Sequence, residues 1–219
     1  DKFIAIGGTD SPKIIVRAAR EGEKITLIDD TEVELNVNDI VITSNDIPVA
    51  LAGAMGGKNT EIDASTKRIL IESATFSLYN LRKTQMAHGI FSEAITRFTK
   101  GQPVFGTVPA LRSCLDKLGI KDSSNLVFAD CLAQIPTQQA IKLSLTDLNQ
   151  TLGSDFTLAQ VKQTLMNVGF VVDILSDNQS LNVITPLWRT DIHIKEDLYE
   201  EVGRLNGFDN IPQTLPLRS

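Results

Sequence analysis

Short apolar runs separated by turn residues dominate the first part of the chain and predict a β-rich fold. The residues directly after Asp1 are strand-like, and Asp29-Asp30-Thr31 lies between two apolar runs, as a hairpin turn does. A glycine-rich loop, 53–57, follows the fifth run. The pattern predicts strands at residues 13–20, 24–28, 32–35, 40–43, 49–52 and 69–71.

Helical spacing begins after residue 76. Ser77 and Ser92 are N-cap candidates, and a helix is expected from Pro109 to Leu118 with Gly119 at its end. The polar stretch Asp122 to Gln139, which contains Pro136, is interpreted as a connection between two domains.

The last part of the chain predicts a second unit of β-α-α-β-β-α order. Thr146 is the expected cap of its first helix, and Thr157 opens its second helix with a capping-box pattern. Apolar runs at 170–174 and 181–185 predict a hairpin, and Asp191 is the expected N-cap of the last helix. The fold class is therefore α+β, with a β-rich domain at 1–121, a connection at 122–139 and a small domain at 140–216.

The formal net charge of −6 argues against a broad, non-specific nucleic-acid binder. The charge is uneven, because residues 81–112 hold five Lys/Arg against Glu93 alone, whereas residues 140–219 hold six Lys/Arg against ten Asp/Glu. The first stretch is the better candidate for an RNA contact, and a solvated helix face is the alternative.

The four cysteine and histidine residues are too scattered along the chain to predict a metal site. Cys114 and Cys131 are expected to be reduced, with a disulfide as the alternative, and His88 and His193 are the histidines. No apolar run approaches the ~20 residues that a membrane span requires, and no signal peptide opens the chain. The start at Asp1 suggests an excised segment.

Two groups of motifs resemble the beta subunit of bacterial phenylalanyl-tRNA synthetase. They occur in the family's order and extend over nearly the whole chain. The first group resembles the editing domain and the second the end of the domain that follows it. The motifs are Ala52-Gly53-Ala54-Met55-Gly56-Gly57, Ile71-Glu72-Ser73-Ala74-Thr75-Phe76, Leu81-Arg82-Lys83-Thr84, Ser92-Glu93-Ala94, Pro186-Leu187-Trp188-Arg189-Thr190-Asp191 and Gly207-Phe208-Asp209-Asn210-Ile211-Pro212.

The resemblance implies that the chain is a fragment of a tRNA ligase. That enzyme is an α2β2 heterotetramer in the cytoplasm and has no membrane partner. The alpha subunit and tRNA(Phe) are the implied partners. ATP and Mg belong to the whole enzyme, and no cofactor is expected in this fragment. In the family, a segment with a Gln-Pro-x-His element precedes the position of Asp1, and a catalytic-like fold lies beyond Ser219.

The activity implied by the resemblance is hydrolytic editing of tyrosine esterified to tRNA(Phe). Glu72 matches the family's carboxylate that accepts the phenol proton, and an ordinary surface glutamate is the alternative. Gly53 and Gly56 match the loop that borders the pocket, or they simply make turns. Ser92 matches a threonine that positions water or the ester, with N-capping as the alternative. Ala94 matches a small residue that keeps the pocket open, or one that serves helix packing. His88 is not expected to act as a base.

Two further functions remain open. The segment could be a scaffold whose editing has been lost, since Phe91, Ile95 and Thr99-Lys100 depart from the family's pattern. It could also be a nucleic-acid-binding module, which the acidic balance of the second domain disfavours. In that domain Arg189 is expected to pair with Glu200 or Glu201.

Overall fold

The computed structural model describes residues 1–8, 13–120 and 138–212. The chain divides into two compact units, one within residues 1–127 and the other within residues 128–219. Most of the predicted connection, 122–139, lies outside the described residues, as do the ends of the predicted domains at 121 and 216. Those predicted limits therefore stay a prediction.

The first unit is built on antiparallel strands. β1, β4, β5 and β6 form a four-stranded sheet in the order β1-β4-β5-β6, and β2 pairs with β3 in a separate hairpin. Both arrangements follow the apolar runs, since the middle residues of β2 and β3 enter the core and four successive residues of β4 are buried. The strands are β1 Ile14–Ala18, β2 Lys24–Thr26, β3 Glu32–Glu34, β4 Ile40–Ser44, β5 Ile47–Leu51 and β6 Met55–Gly56.

Within residues 1–8 and 13–120, four α-helices accompany these strands. Ser77 and Ser92 cap α2 and α3 as predicted, because their side chains accept hydrogen bonds from the backbone N–H of Asn80 and Ile95. The helices are α1 Lys2–Gly7, α2 Leu78–His88, α3 Glu93–Phe98 and α4 Thr107–Lys117.

Two predicted strands of this unit are wrong. Residues 69–71 form no strand, and Ile69 and Leu70 are 48% and 56% exposed. An apolar triplet becomes a strand only where a partner strand accepts its backbone hydrogen bonds, and none pairs with it here among the described residues. The residues after Asp1 form α1 instead of a strand, because Phe3 and Ile6, three positions apart, pack together against a small apolar cluster.

The second unit has the predicted β-α-α-β-β-α order. Its three strands form an antiparallel sheet in the order β7-β9-β8, and one apolar cluster joins sheet and helices. Together with the first unit this confirms the α+β class. The elements are β7 Ile141–Ser144, α5 Leu145–Leu152, α6 Leu158–Asn167, β8 Val171–Ile174, β9 Ser180–Ile184 and α7 Lys195–Asn206.

The capping box at Thr157 is confirmed, but two predicted caps are wrong. Ser144 caps α5 instead of Thr146, since the helix begins earlier and the Ser144 hydroxyl accepts the N–H of Asp147. Ile194 occupies the N-cap position of α7, where Asp191 was expected. The side chain that accepts there is Asp197, which takes the backbone N–H groups of His193 and Ile194 and also suits the helix dipole.

Candidate functional site

A cavity of about 560 Å³ opens in the first unit. Its walls come from the β5–β6 turn, from the extended segment 72–76 and from α3, α4 and the loop between them. Glu72, Gly53, Gly56 and Ala94, which the sequence selected as substrate-binding residues, all line it. Residues from three separate parts of the chain therefore meet at one place.

The first part of the glycine-rich loop is a tight turn between β5 and β6, and its Met55–Gly56 form β6. The N–H of Ala54 donates to the carbonyl of Leu51 at 3.1 Å, and Gly53 has a φ of +65°. A Cβ at Gly53 would lie 2.8 Å from Leu81 Cδ1, so both the backbone conformation and the packing favour glycine. Gly56 has no such crowding, and its carbonyl accepts the N–H of Ile28 at 3.0 Å.

Segment 72–76 is held as a wall of the cavity by side-chain contacts at each end. The Ser73 hydroxyl donates to the carbonyl of Thr107 at 2.7 Å, which ties the segment to the start of α4. The ring of Phe76 contacts that of Phe98 edge to face, with centroids 5.7 Å apart. These contacts fix the backbone on both sides of the cavity-facing residues.

The carboxyl group of Glu72 is the one acidic group among the described residues that line the cavity. Desolvation by the surrounding atoms raises its pKa above the ordinary value. The side chain nevertheless stays accessible to solvent, because the cavity is open. Within the described part of the chain, no hydrogen-bond or ion-pair partner meets this carboxyl group. It is therefore available to a donor from a ligand.

Ser92 lies behind the cavity wall. Its hydroxyl donates to the carbonyl of Ala54 at 2.6 Å and accepts the N–H of Ile95 at 3.2 Å. The hydroxyl thus supports the glycine turn and caps α3, and Ser92 is not among the residues that line the cavity. Ser92 is therefore the N-cap of α3, which is the alternative role that the sequence left open. A direct catalytic contact of Ser92 stays a prediction.

Reasoning from the sequence missed several polar residues of the same cavity. Ser73, Thr75, Gln102 and Thr107 line it as well. Ser73 and Thr75 lie in the same motif as Glu72, which could have pointed to them. Nothing in the local sequence of Gln102 and Thr107 distinguishes them from loop and cap residues, and the fold of distant segments brings them to the cavity. His88 lies elsewhere, with its Nε2 2.7 Å from Asp39 Oδ2.

Arg189, which the sequence singled out in the second unit, has a structural role. Arg189 pairs with Glu201 at 2.8 Å, which confirms one of its two expected partners. No group of three or more potential metal ligands occurs in the described ranges. Nor does any helix in that part of the chain have the length and apolar character needed to cross a membrane. Cys131 lies outside the described residues.

Two family models match the chain. The B3/4 domain model covers residues 4–119, which include the whole cavity, and the tRNA synthetase B5 domain model covers residues 141–208. These matches fall on the two compact units described above.

Similar proteins are named phenylalanine–tRNA ligase beta subunit. One from Latilactobacillus sakei is 38% identical over 94% of this chain, and one from Lactococcus lactis is 37% identical over 94%. A third, from Streptococcus pyogenes, is 36% identical over 99% of this chain. The chain spans about a quarter of the length of these relatives, 26% in each case.

These matches confirm the resemblance derived from the motifs. Because the B3/4 model covers more than half of the residues, from position 4 to 119 of 219, the chain belongs to the B3/4 domain family, and residues 141–208 after it match the tRNA synthetase B5 domain model.

Proposed function

We propose that the chain is a segment of the beta subunit of a phenylalanine–tRNA ligase and that its first unit hydrolyses tyrosyl-tRNA(Phe). The observation that carries this proposal is the unpaired, partly desolvated carboxyl group of Glu72 on the wall of the cavity. The ATP, the Mg, the alpha-subunit partner, the tRNA and the cytoplasmic location belong to the same proposal for the whole enzyme.

The selectivity of such a site follows from one hydroxyl group. Tyrosine exceeds phenylalanine by a phenolic O–H, which an apolar synthetic pocket excludes only weakly. In the cavity, that O–H donates to the Glu72 carboxylate. Phenylalanine leaves the carboxylate desolvated and unpaired, at a cost of roughly 1–3 kcal/mol. The editing site therefore prefers the amino acid that the synthetic site should have rejected.

The hydrolysis itself uses water as the nucleophile. Water attacks the ester carbonyl carbon, the bond to the ribose oxygen breaks, and that oxygen receives the proton. Ser92 is a poor nucleophile candidate, because its hydroxyl proton is directed at the carbonyl of Ala54 and no histidine contacts it in the described residues. Ser92 acts instead as a positioning residue that holds the glycine turn, with Gly53 and Gly56 presenting backbone to the substrate and Ala94 leaving room for it.

The test is tyrosyl-tRNA(Phe) deacylation by the intact synthetase carrying Glu72→Ala. We expect tyrosyl-tRNA(Phe) to persist while phenylalanine charging continues at the normal rate. Glu21→Ala is the matched control, because Glu21 is an exposed carboxylate in a turn and does not line the cavity. Normal tyrosine clearance by the Glu72 variant would refute the assignment.

A further inference from the structure

Gln102 lies in the loop between α3 and α4 and lines the cavity together with Glu72. Its side-chain Nε2 donates to two backbone carbonyls, those of Arg97 and Gly101, each at 3.0 Å. The Arg97 carbonyl belongs to the last turn of α3 and also accepts the backbone N–H of Lys100 at 3.1 Å. Gln102 therefore adds a side-chain donor at the end of α3.

These two contacts decide the orientation of the amide. The reversed amide would place Oε1 against two carbonyl oxygens, which repel it. Nε2 thus has both hydrogens engaged, and Oε1 is the one polar atom of the side chain without a hydrogen-bond partner in the described residues. The side chain offers the cavity an acceptor and no donor.

Two of the three neighbouring hydroxyl groups have the same bias, and the third, that of Thr75, makes no hydrogen bond within the described residues. Ser73 donates its proton to the carbonyl of Thr107, and Thr107 donates its own to the carbonyl of Val104 at 2.8 Å. Lysine, arginine and histidine are absent from the described residues that line the cavity. With Glu72 added, Gln102, Ser73 and Thr107 present oxygen acceptors and negative charge to the cavity, which suits a cationic ligand that donates hydrogen bonds.

We infer that Gln102 Oε1 accepts a hydrogen bond from the α-ammonium group of the esterified amino acid. This inference rests on the proposed function, in which Glu72 takes the phenolic proton at the other end of the substrate. A tyrosyl ester has two strong donor groups, the ammonium and the phenol, and the cavity then has a separate acceptor for each. Gln102 identifies the substrate as an α-amino acyl ester, and Glu72 identifies its side chain.

The test compares two substrates of the intact synthetase, tyrosyl-tRNA(Phe) and 3-(4-hydroxyphenyl)propanoyl-tRNA(Phe), which lacks the ammonium group. The readout is the ratio of their kcat/KM values for deacylation, each corrected for spontaneous hydrolysis. We expect the wild-type enzyme to prefer the amino substrate by roughly tenfold or more, since hydrogen bonds to charged groups are strong. A wild-type ratio near one would overturn the inference.

Two variants separate recognition from helix capping. Gln102→Met and Gln102→Glu both lose the N–H groups that donate to the carbonyls of Arg97 and Gly101, but only Gln102→Glu keeps an acceptor. We expect Gln102→Met to bring the ratio close to one, whereas Gln102→Glu keeps it or raises it. Equal ratios in the two variants would assign Gln102 to capping alone and overturn the inference.

Glu72→Gln distinguishes this inference from the proposed function. It should reduce the preference for tyrosyl-tRNA over phenylalanyl-tRNA and leave the amino preference of the enzyme in place. If Glu72→Gln leaves the preference for tyrosine intact, the proposed function fails, and the amino ratio still decides the role of Gln102.

Discussion

The Nε2 atom of His88 lies 2.7 Å from Oδ2 of Asp39, and this contact joins the end of α2 to the loop between β3 and β4. Asp39 is fully buried, and it also accepts the Thr84 hydroxyl at 2.6 Å and the N–H of Asn36 at 2.8 Å. Three donors thus converge on one carboxyl group below the helix. The contact between His88 and Asp39 holds α2 to the loop between β3 and β4. His88 therefore has a structural role.

Asp39→Ala should destabilise the first unit strongly. Each donor left without an acceptor costs about 1–3 kcal/mol, and the buried Thr84 hydroxyl cannot reach water. Urea unfolding followed by far-UV circular dichroism measures the loss. Asp116→Ala is the control, because Asp116 is exposed on α4 and should change the stability by only a few tenths of a kcal/mol. A similar, small effect for both variants would contradict the role of the buried network.

Local sequence patterns predicted the elements whose determinants are themselves local. The β2–β3 hairpin and the capping box at Thr157 depend on residues within a few positions of each other, and both are confirmed. The strand expected at 69–71 failed because pairing is a property of the sheet and not of an apolar triplet. Asp191 failed as an N-cap because its carboxylate pairs with Arg189 at 2.6 Å instead.

For the same reason, the sequence predicted some residues of the candidate site and missed others. Glu72, Gly53, Gly56 and Ala94 were found through motifs, and the fold brings them to one cavity. Gln102 lies in no motif, and the role that we infer for it depends on which backbone carbonyls its amide contacts. The buried contact between Asp39 and His88 joins residues 49 positions apart, which no local pattern reveals.

Gly53→Ala should cost more stability than Gly22→Ala, although both glycines have positive φ. Gly22, at +74°, has open space around its missing Cβ, so alanine there meets only the backbone penalty of about 1–2 kcal/mol. At Gly53 the new Cβ would also meet Leu81 Cδ1 at 2.8 Å and Phe76 at 3.0 Å, and overpacking adds about 1–3 kcal/mol. Urea unfolding of the two variants gives the difference. Equal losses of unfolding free energy in the two variants would mean that Leu81 and Phe76 move away from the new Cβ at little cost.

Glu72→Gln should stabilise the first unit at neutral pH and have little effect in acid. The folded state raises the pKa of Glu72 by desolvation, so folding favours the protonated form. The stability that this provides is complete below the unfolded pKa and is lost as the pH rises through the folded pKa. At pH 7 the wild type therefore bears a desolvation cost that glutamine lacks.

Thermal unfolding of wild type and Glu72→Gln across pH 4 to 7.5 measures this effect. The melting temperature of the variant should exceed that of the wild type at the upper end, and the two curves should converge toward pH 4. A variant that is less stable at pH 7 would indicate a favourable partner for the carboxylate. This stability gain, together with loss of tyrosine selectivity, would identify Glu72 as a residue kept for function at the expense of stability.

Arg189→Ala should destabilise the second unit far more than Arg204→Ala. Both guanidinium groups lie 2.8 Å from the carboxylate of Glu201, whose side chain is 4% exposed. The Arg189 side chain is 23% exposed and also pairs with Asp191, whereas that of Arg204 is 57% exposed. Removing the more buried cation leaves a poorly compensated buried charge, at about 3–5 kcal/mol, while removing the exposed cation costs about 1 kcal/mol or less.

Urea unfolding of the two arginine variants can be followed by the fluorescence of Trp188. This residue is the only tryptophan of the chain, so its fluorescence reports unfolding of the second unit selectively.

The pH dependence of this effect follows from Glu201. Burial raises the pKa of Glu201, but the hydrogen bonds from Arg189 and Arg204 outweigh it and lower the pKa overall. The stability from this carboxylate is therefore present above its unfolded pKa and is lost as the pH falls through the folded pKa. The difference between Arg189→Ala and wild type should accordingly shrink in acid, because Glu201 is then protonated in both proteins. If Arg189→Ala and Arg204→Ala lose equal free energy of unfolding at pH 7, the two cations make equivalent, solvent-screened ion pairs with Glu201. Arg189 would then not compensate a buried charge.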